Sequence, residues 1–289
     1  RTRALAYQRA MEQIYRRYPE DREAAVFYAL SLLEATTLPL GKDYSKQKQA
    51  AEILNRVLPQ EPNHPGVTHY VIHSFDYPQL AELALPAARS YAKIAPSSPH
   101  ALHMPTHIFT RLGLWQESIQ SNAASAATAK RLVARTHPGA ASRDQLHAMD
   151  YLMYAYLQGA QDQKARGILD ELKTMSRVDV EDFAAAYAFA AAPARYALER
   201  RSWGEASALA VHPGTFPWNR FPYAEANTHF ARALGAARSG NAVTARQSVE
   251  KLASIKKTLA SASDNPVNQY WAKQVEIQRQ AAAAWTTKA

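Results

Sequence analysis

Two pairs of histidines, His69/His73 and His103/His107, carry the strongest chemical signal in this sequence. Within each pair the spacing is one helical turn, so both imidazoles project from the same helix face. The pairs are offset by 34 residues, the length of a helix–turn–helix unit that stacks on copies of itself. Equivalent positions of stacked units lie side by side. The spacing therefore predicts four imidazoles converging between two neighbouring parallel helices. Histidine is the commonest metal ligand, so His69, His73, His103 and His107 are candidate ligands of a divalent transition metal. Neutral imidazoles suit Zn, Cu, Ni or Fe. Four protein ligands would close a tetrahedral structural site, whereas three with an open position would leave room for catalysis. Both remain open at this stage.

Nearby residues extend the set. His100 precedes His103 in the turn that follows Pro99, where it either reaches the site or faces solvent. Asp76, three residues after His73, could ligate, orient a ligand or end the helix. His147 and Asp150 are three apart on a later helix, and they are candidates for the site or for the shell that orients it. Glu225 and His229 are four apart and read as a helix-surface pair. The His-Glu-x-x-His element of zinc proteases is absent, because Tyr70 and Met104 follow the first histidine of each pair. No phosphate-binding glycine loop or Gly-x-Ser-x-Gly elbow is present. Ser74 beside His73 is no triad, since adjacent helical residues point apart. The competing view is that the histidines line a peptide groove or hydrogen-bond within the core.

The elements that position these residues read as helix after helix. The 289 residues are 47% hydrophobic and rich in alanine, with 10 glycines, a bias toward close-packed helices. Proline punctuates the chain. Pro39-Leu40-Gly41 breaks one helix, Pro59 and Pro62 close the next, and Pro65 suits the first position of the helix that carries His69 and His73. The segment 79–95 is a partner helix, kinked or entered late at Pro86. Pro105 requires either that a helix begins near His103 or that it kinks between His103 and His107. Later hairpins pair residues 142–157 with 162–175, 180–201 with 203–211, and 223–238 with 242–261. A capping helix covers about 266–287. The expected architecture is all-α, a single solenoid domain over 1–289 of about six hairpins, with the metal-site repeats at about 60–135.

Net charge is +9, but the basic residues are scattered in pairs such as Lys130-Arg131 and Arg200-Arg201. That pattern fits solvated helix faces and argues against a nucleic-acid stripe. No run approaches the length of a membrane span. The absence of cysteine excludes disulfides and thiolate ligands and fits an exported, periplasmic or secreted protein. The chain starts at Arg1, as expected of a processed or trimmed product.

Phe109-x2-Leu112-Gly113-x-Trp115 resembles the core signature of tetratricopeptide repeats, with its last aromatic one position early. More specifically, the chain resembles a group of bacterial tetratricopeptide-repeat proteins with two elements in succession. These are His-Pro-Gly-x2-His-Tyr-x-Ile-His, found at His64 to His73, and His-Met-Pro-x-His-Ile-aromatic, found at His103 to Phe109. The resemblance covers about residues 60–115. It implies an α-solenoid, a site at the same histidines, export, and a position in the C-terminal part of such proteins; it implies no particular reaction. Two functions are expected. One is a metalloprotein whose concave groove presents an ion (Zn, Cu or Fe) to a small-molecule or peptide ligand, for hydrolysis or oxidation. The other is a scaffold that binds a peptide or protein in that groove, with the ion structural or absent.

Overall fold

The computed structural model describes residues 2–36, 43–261 and 265–287, so the Pro39-Leu40-Gly41 break lies outside them. The described residues are all-helical, and the nearest approach to sheet is one isolated bridge between Ala141 and Val178. No helix among them is long and apolar enough to cross a membrane. The chain forms two compact units, residues 1–125 and 126–289.

The first unit contains α1 (Thr2–Arg17), α2 (Arg22–Glu34), α3 (Ser45–Val57), α4 (Pro65–Phe75), α5 (Leu85–Ile94), α6 (Pro99–His103), α7 (Pro105–Arg111) and the first half of α8 (Trp115–Thr136). Successive helices pack on one another from α1 to α5, and α4 also touches α2 and α7. Proline stands in the first turn of α4, α5, α6 and α7, where its missing N–H costs no helical bond. A 3-10 turn at Ala81–Ala84 precedes α5, so the helix expected from residue 79 is entered late, at Pro86. The start of α4 is fixed by His64, whose Nδ1 accepts from Val67 N at 3.2 Å. Val67, Val71, Ile72 and Phe75 of α4 sink into a core with Leu54, Met104 and Ile108. His69 and His73 lie outside this apolar stripe.

The second unit contains the rest of α8, then α9 (Arg143–Gln158), α10 (Asp162–Thr174), α11 (Phe183–Glu199), α12 (Trp203–Ser207), α13 (Pro222–Arg238), α14 (Ala242–Ser261) and α15 (Pro266–Thr286). Helix α9 packs on both α10 and α11, α11 on α13, and α13 on α12, α14 and α15. The starts of α4 and α6 are 34 residues apart, as expected, but the starts of α9, α11 and α13 are offset by 40 and 39.

Four turns end their helices alike. Gly113, Ala160, Arg201 and Gly240 have φ of 69°, 53°, 54° and 75°. In each case the next residue's N–H bonds a carbonyl five residues back: Leu114 to Phe109, Gln161 to Tyr156, Ser202 to Ala197 and Asn241 to Ala236, at 2.8–2.9 Å. This is the Schellman closure, which satisfies otherwise orphaned carbonyls. Glycine takes the left-handed conformation freely, whereas Ala160 and Arg201 hold it at a steric cost of about 1–2 kcal/mol each.

Polar pairs connect one hairpin to the next at a nearly constant offset. Arg143 Nε donates to Asp182 at 2.7 Å, Arg220 Nη1 to Glu181 at 2.8 Å and Arg166 Nη1 to Glu205 at 2.7 Å, each across 39 residues. Arg200 pairs with Asp162 across 38 residues. The tightest backbone approach in this unit is at Gly235 of α13, where an added Cβ would stand 2.4 Å from Ser207 N and 2.5 Å from Ala206 Cβ.

Candidate metal centre

Three imidazoles meet beside α4. His69 Nε2 lies 3.0 Å from His73 Nε2 and 3.2 Å from His100 Nε2. One ligand nitrogen from each of the three falls within 4.8 Å of the others. His69 is half-buried, with its ring stacked on Tyr91 at 5.4 Å, while His73 and His100 reach solvent. His100 sits at the start of α6, which brings it to the site while it stays exposed.

Three facing Nε2 atoms are a poor arrangement for neutral rings alone, because each hydrogen bond uses one N–H and one lone pair. A cation at the centre would resolve it, and protons are disfavoured. Desolvation pulls the His69 imidazolium down to about 3, aided by the charges of His73, His100 and His107. His73 falls to about 4, through desolvation first and His107 second, against the opposing pull of Asp76.

The second pair has partners of its own. His103 is buried at the end of α6 and His107 lies in α7, with Met104 between the helices. Pro105 therefore breaks the helix between the two histidines. Their Nε2 atoms still approach to 3.1 Å. Their tautomers are fixed from behind. His103 Nδ1 lies 2.8 Å from Asn122 Oδ1, and Asn122 turns its Nδ2 to Ser118 O, so His103 is the donor. His107 Nδ1 donates to Asp76 Oδ2 at 2.9 Å. With both protons on Nδ1, each neutral ring aims its Nε2 lone pair at the other, the orientation that metal-ligating histidines receive from such partners. Burial pushes the Asp76 carboxyl up, but hydrogen bonds from His107 and from Arg111 Nε at 2.6 Å outweigh it and hold the group below its ordinary range.

Helix α8 supports this geometry with a buried polar stripe. Ser118, Asn122 and Ser125 are fully buried. Ser121 Oγ donates to Leu102 O at 2.6 Å and Ser125 Oγ to Pro99 O at 2.7 Å, which satisfies carbonyls of the short α6. The spacing of these residues repeats at the period of a core face, and polar residues at core positions were the available sign of a buried network.

His147 is half-buried on α9, with its ring edge-on to Tyr151 at 5.4 Å. Asp150 Oδ1 accepts from Arg195 Nη1 at 2.6 Å, and that guanidinium also lies over Tyr154. Asp150 is thus held by α11.

Glu225 and His229, expected on a helix surface, are instead packed inward. His229 is 6% exposed, and its Nε2 bonds Glu225 Oε1 at 3.1 Å, with Lys251 Nζ 3.4 Å from the same oxygen. Burial raises the Glu225 carboxyl, but His229 and Lys251 more than offset this and leave it below its usual value. A depressed carboxylate stabilises the fold above its unfolded pKa, and the contribution is lost as pH falls through the folded value. Glu225→Gln is therefore expected to cost about 1–2 kcal/mol near pH 7. Urea denaturation should show the difference shrinking as pH falls below the ordinary carboxylate range.

No protein-family model matches the chain, and no curated protein matches it in sequence.

Proposed function

We propose that the first unit is a metal-binding module. A divalent transition ion, Zn, Cu or Fe, sits on His69, His73 and His100, and His103 and His107 form a second donor pair beside it. The observation that carries this reading is the convergence of Nε2 atoms, with the Nδ1 protons of His103 and His107 engaged by Asn122 and Asp76. Three protein ligands leave a coordination position open, which suits water activation and hydrolysis or redox chemistry at the ion. Elemental mass spectrometry on untagged protein tests it. Near-stoichiometric metal is expected, removable by chelation and lost in His73→Ala/His100→Ala. Metal-free protein that stays empty after reconstitution would sink the reading.

We read the hairpins within each unit as tetratricopeptide-like α-solenoid repeats. The four identical turn closures support this, as does the direct packing of α9 on α11 and α11 on α13. A second function, capture of a peptide, is favoured by the aromatic surface of the second unit. There Phe183, 44% exposed, stacks with Tyr223, which in turn stacks on Trp271 at 5.0 Å. Peptide binding that survives chelation would favour that reading.

A further inference from the structure

A concavity of about 330 Å³ in the second unit is lined by Arg201, Trp203, Leu234, Arg238 and Trp285. The Arg238 guanidinium lies over two indoles, its Cζ 5.0 Å from the Trp203 ring and 4.8 Å from the Trp285 ring. Cation–π contact with two rings orders the group but uses none of its N–H donors. Among the described residues neither the Arg238 nor the Arg201 side chain has a hydrogen-bond or ion-pair partner. Among the described residues no carboxylate lines the concavity. Six of the eleven other arginines of this unit, Arg143, Arg166, Arg195, Arg200, Arg220 and Arg279, each meet an acidic side chain instead.

Arg201 adds a second sign. It occupies the left-handed position of a Schellman turn, at φ 54°, where Gly113 and Gly240 stand in two of the equivalent turns. Strain of this kind clusters at binding sites, where it is retained for what the side chain does.

We propose that Arg201 and Arg238 bind the phosphate group of a small phosphate monoester whose planar or apolar body rests on Trp203, Trp285 and Leu234. Two guanidinium forks match a group that carries close to two negative charges and three acceptor oxygens. Lying over two rings, Arg238 is pre-ordered, which lowers the entropic cost of engaging the anion. The apolar lining gives an aromatic body an advantage over a bare oxyanion.

Titration of the full chain with phenyl phosphate, followed by calorimetry and tryptophan fluorescence, tests the proposal. Saturable one-to-one binding is expected, several-fold tighter than that of inorganic phosphate. Arg238→Gln should weaken it at least about 10-fold, the loss of a bidentate charged contact. Arg201→Gly should weaken it too, yet raise the melting temperature by releasing the strained backbone. That opposite movement of binding and stability separates a binding role from a merely structural one. Absence of saturable binding, affinity unchanged in Arg238→Gln, or equal affinity for inorganic phosphate would overturn the proposal.

Discussion

Replacing His69 with alanine is expected to lower the affinity of the protein for Zn²⁺ by at least about 100-fold, because even the loss of an orienting partner behind a ligand costs 10–100-fold. His69 is the hub of the triad, with Nε2 within 3.2 Å of both His73 and His100. Its removal leaves two of the three donors. The fold should survive, since the side chain lies off the apolar stripe of α4 and alanine favours helix. Asp76→Asn is a graded comparison. It weakens the partner that fixes the His107 tautomer but leaves every candidate histidine in place, so its effect should be smaller. Competition against a chromophoric chelator gives both affinities, and circular dichroism verifies the helices. An unchanged Zn²⁺ affinity in His69→Ala would refute the assigned ligand set.

Gly235→Ala is expected to be the most destabilising single-methyl change in the second unit, costing about 3 kcal/mol or more, the upper range for overpacked sites. The new methyl group would meet Ser207 N at 2.4 Å and the carbonyl carbon of Ala206 at 2.7 Å. Those are backbone atoms of α12, which no side-chain rotation can move away. The melting temperature should fall by roughly 5–10 °C. Gly167 in α10 is the control, because a methyl there meets nothing within 4 Å. Gly167→Ala should be neutral or stabilising by up to about 1 kcal/mol, through helix propensity alone. Equal melting temperatures for Gly235→Ala and the parent would mean that α12 and α13 do not approach as described.

The helical architecture was legible because it is written locally. Apolar periodicity, the prolines that open α4, α6 and α7, and glycines at two of the turns are all one-turn signals. The histidine pairs were legible for the same reason. The partition into a triad and a pair was not, because it depends on how α6 turns His100 toward α4 across 31 residues. Asn122 is 19 residues from the ring it orients, and Arg195 is 45 residues from Asp150. Neither relation has a spacing rule. Gly235 looks like any tolerated glycine inside a helix until α12 is laid against it. The lengthening from 34 residues to about 40 was hidden because the proline and histidine coincidences that set the shorter register occur only between α4 and α6.

The polar pairs between hairpins have a consequence for assembly order. Where α9, α11 and α13 begin, the sign alternates: Arg143 at the start of α9, Glu181 and Asp182 before α11, and Arg220 before α13. Each pair is partly exposed and contributes little alone, on the order of 0–1 kcal/mol. The alternation matters more than the sum. If a folding chain skipped the middle hairpin and laid α13 against α9, Arg220 would face Arg143, like charge against like. Successive hairpins of similar shape and alanine-rich surface offer little else to tell a neighbour from a next-nearest neighbour. At these helix starts the charges work as a parity check, in which adjacent hairpins present opposite signs and a stack with one member left out is penalised at its seam.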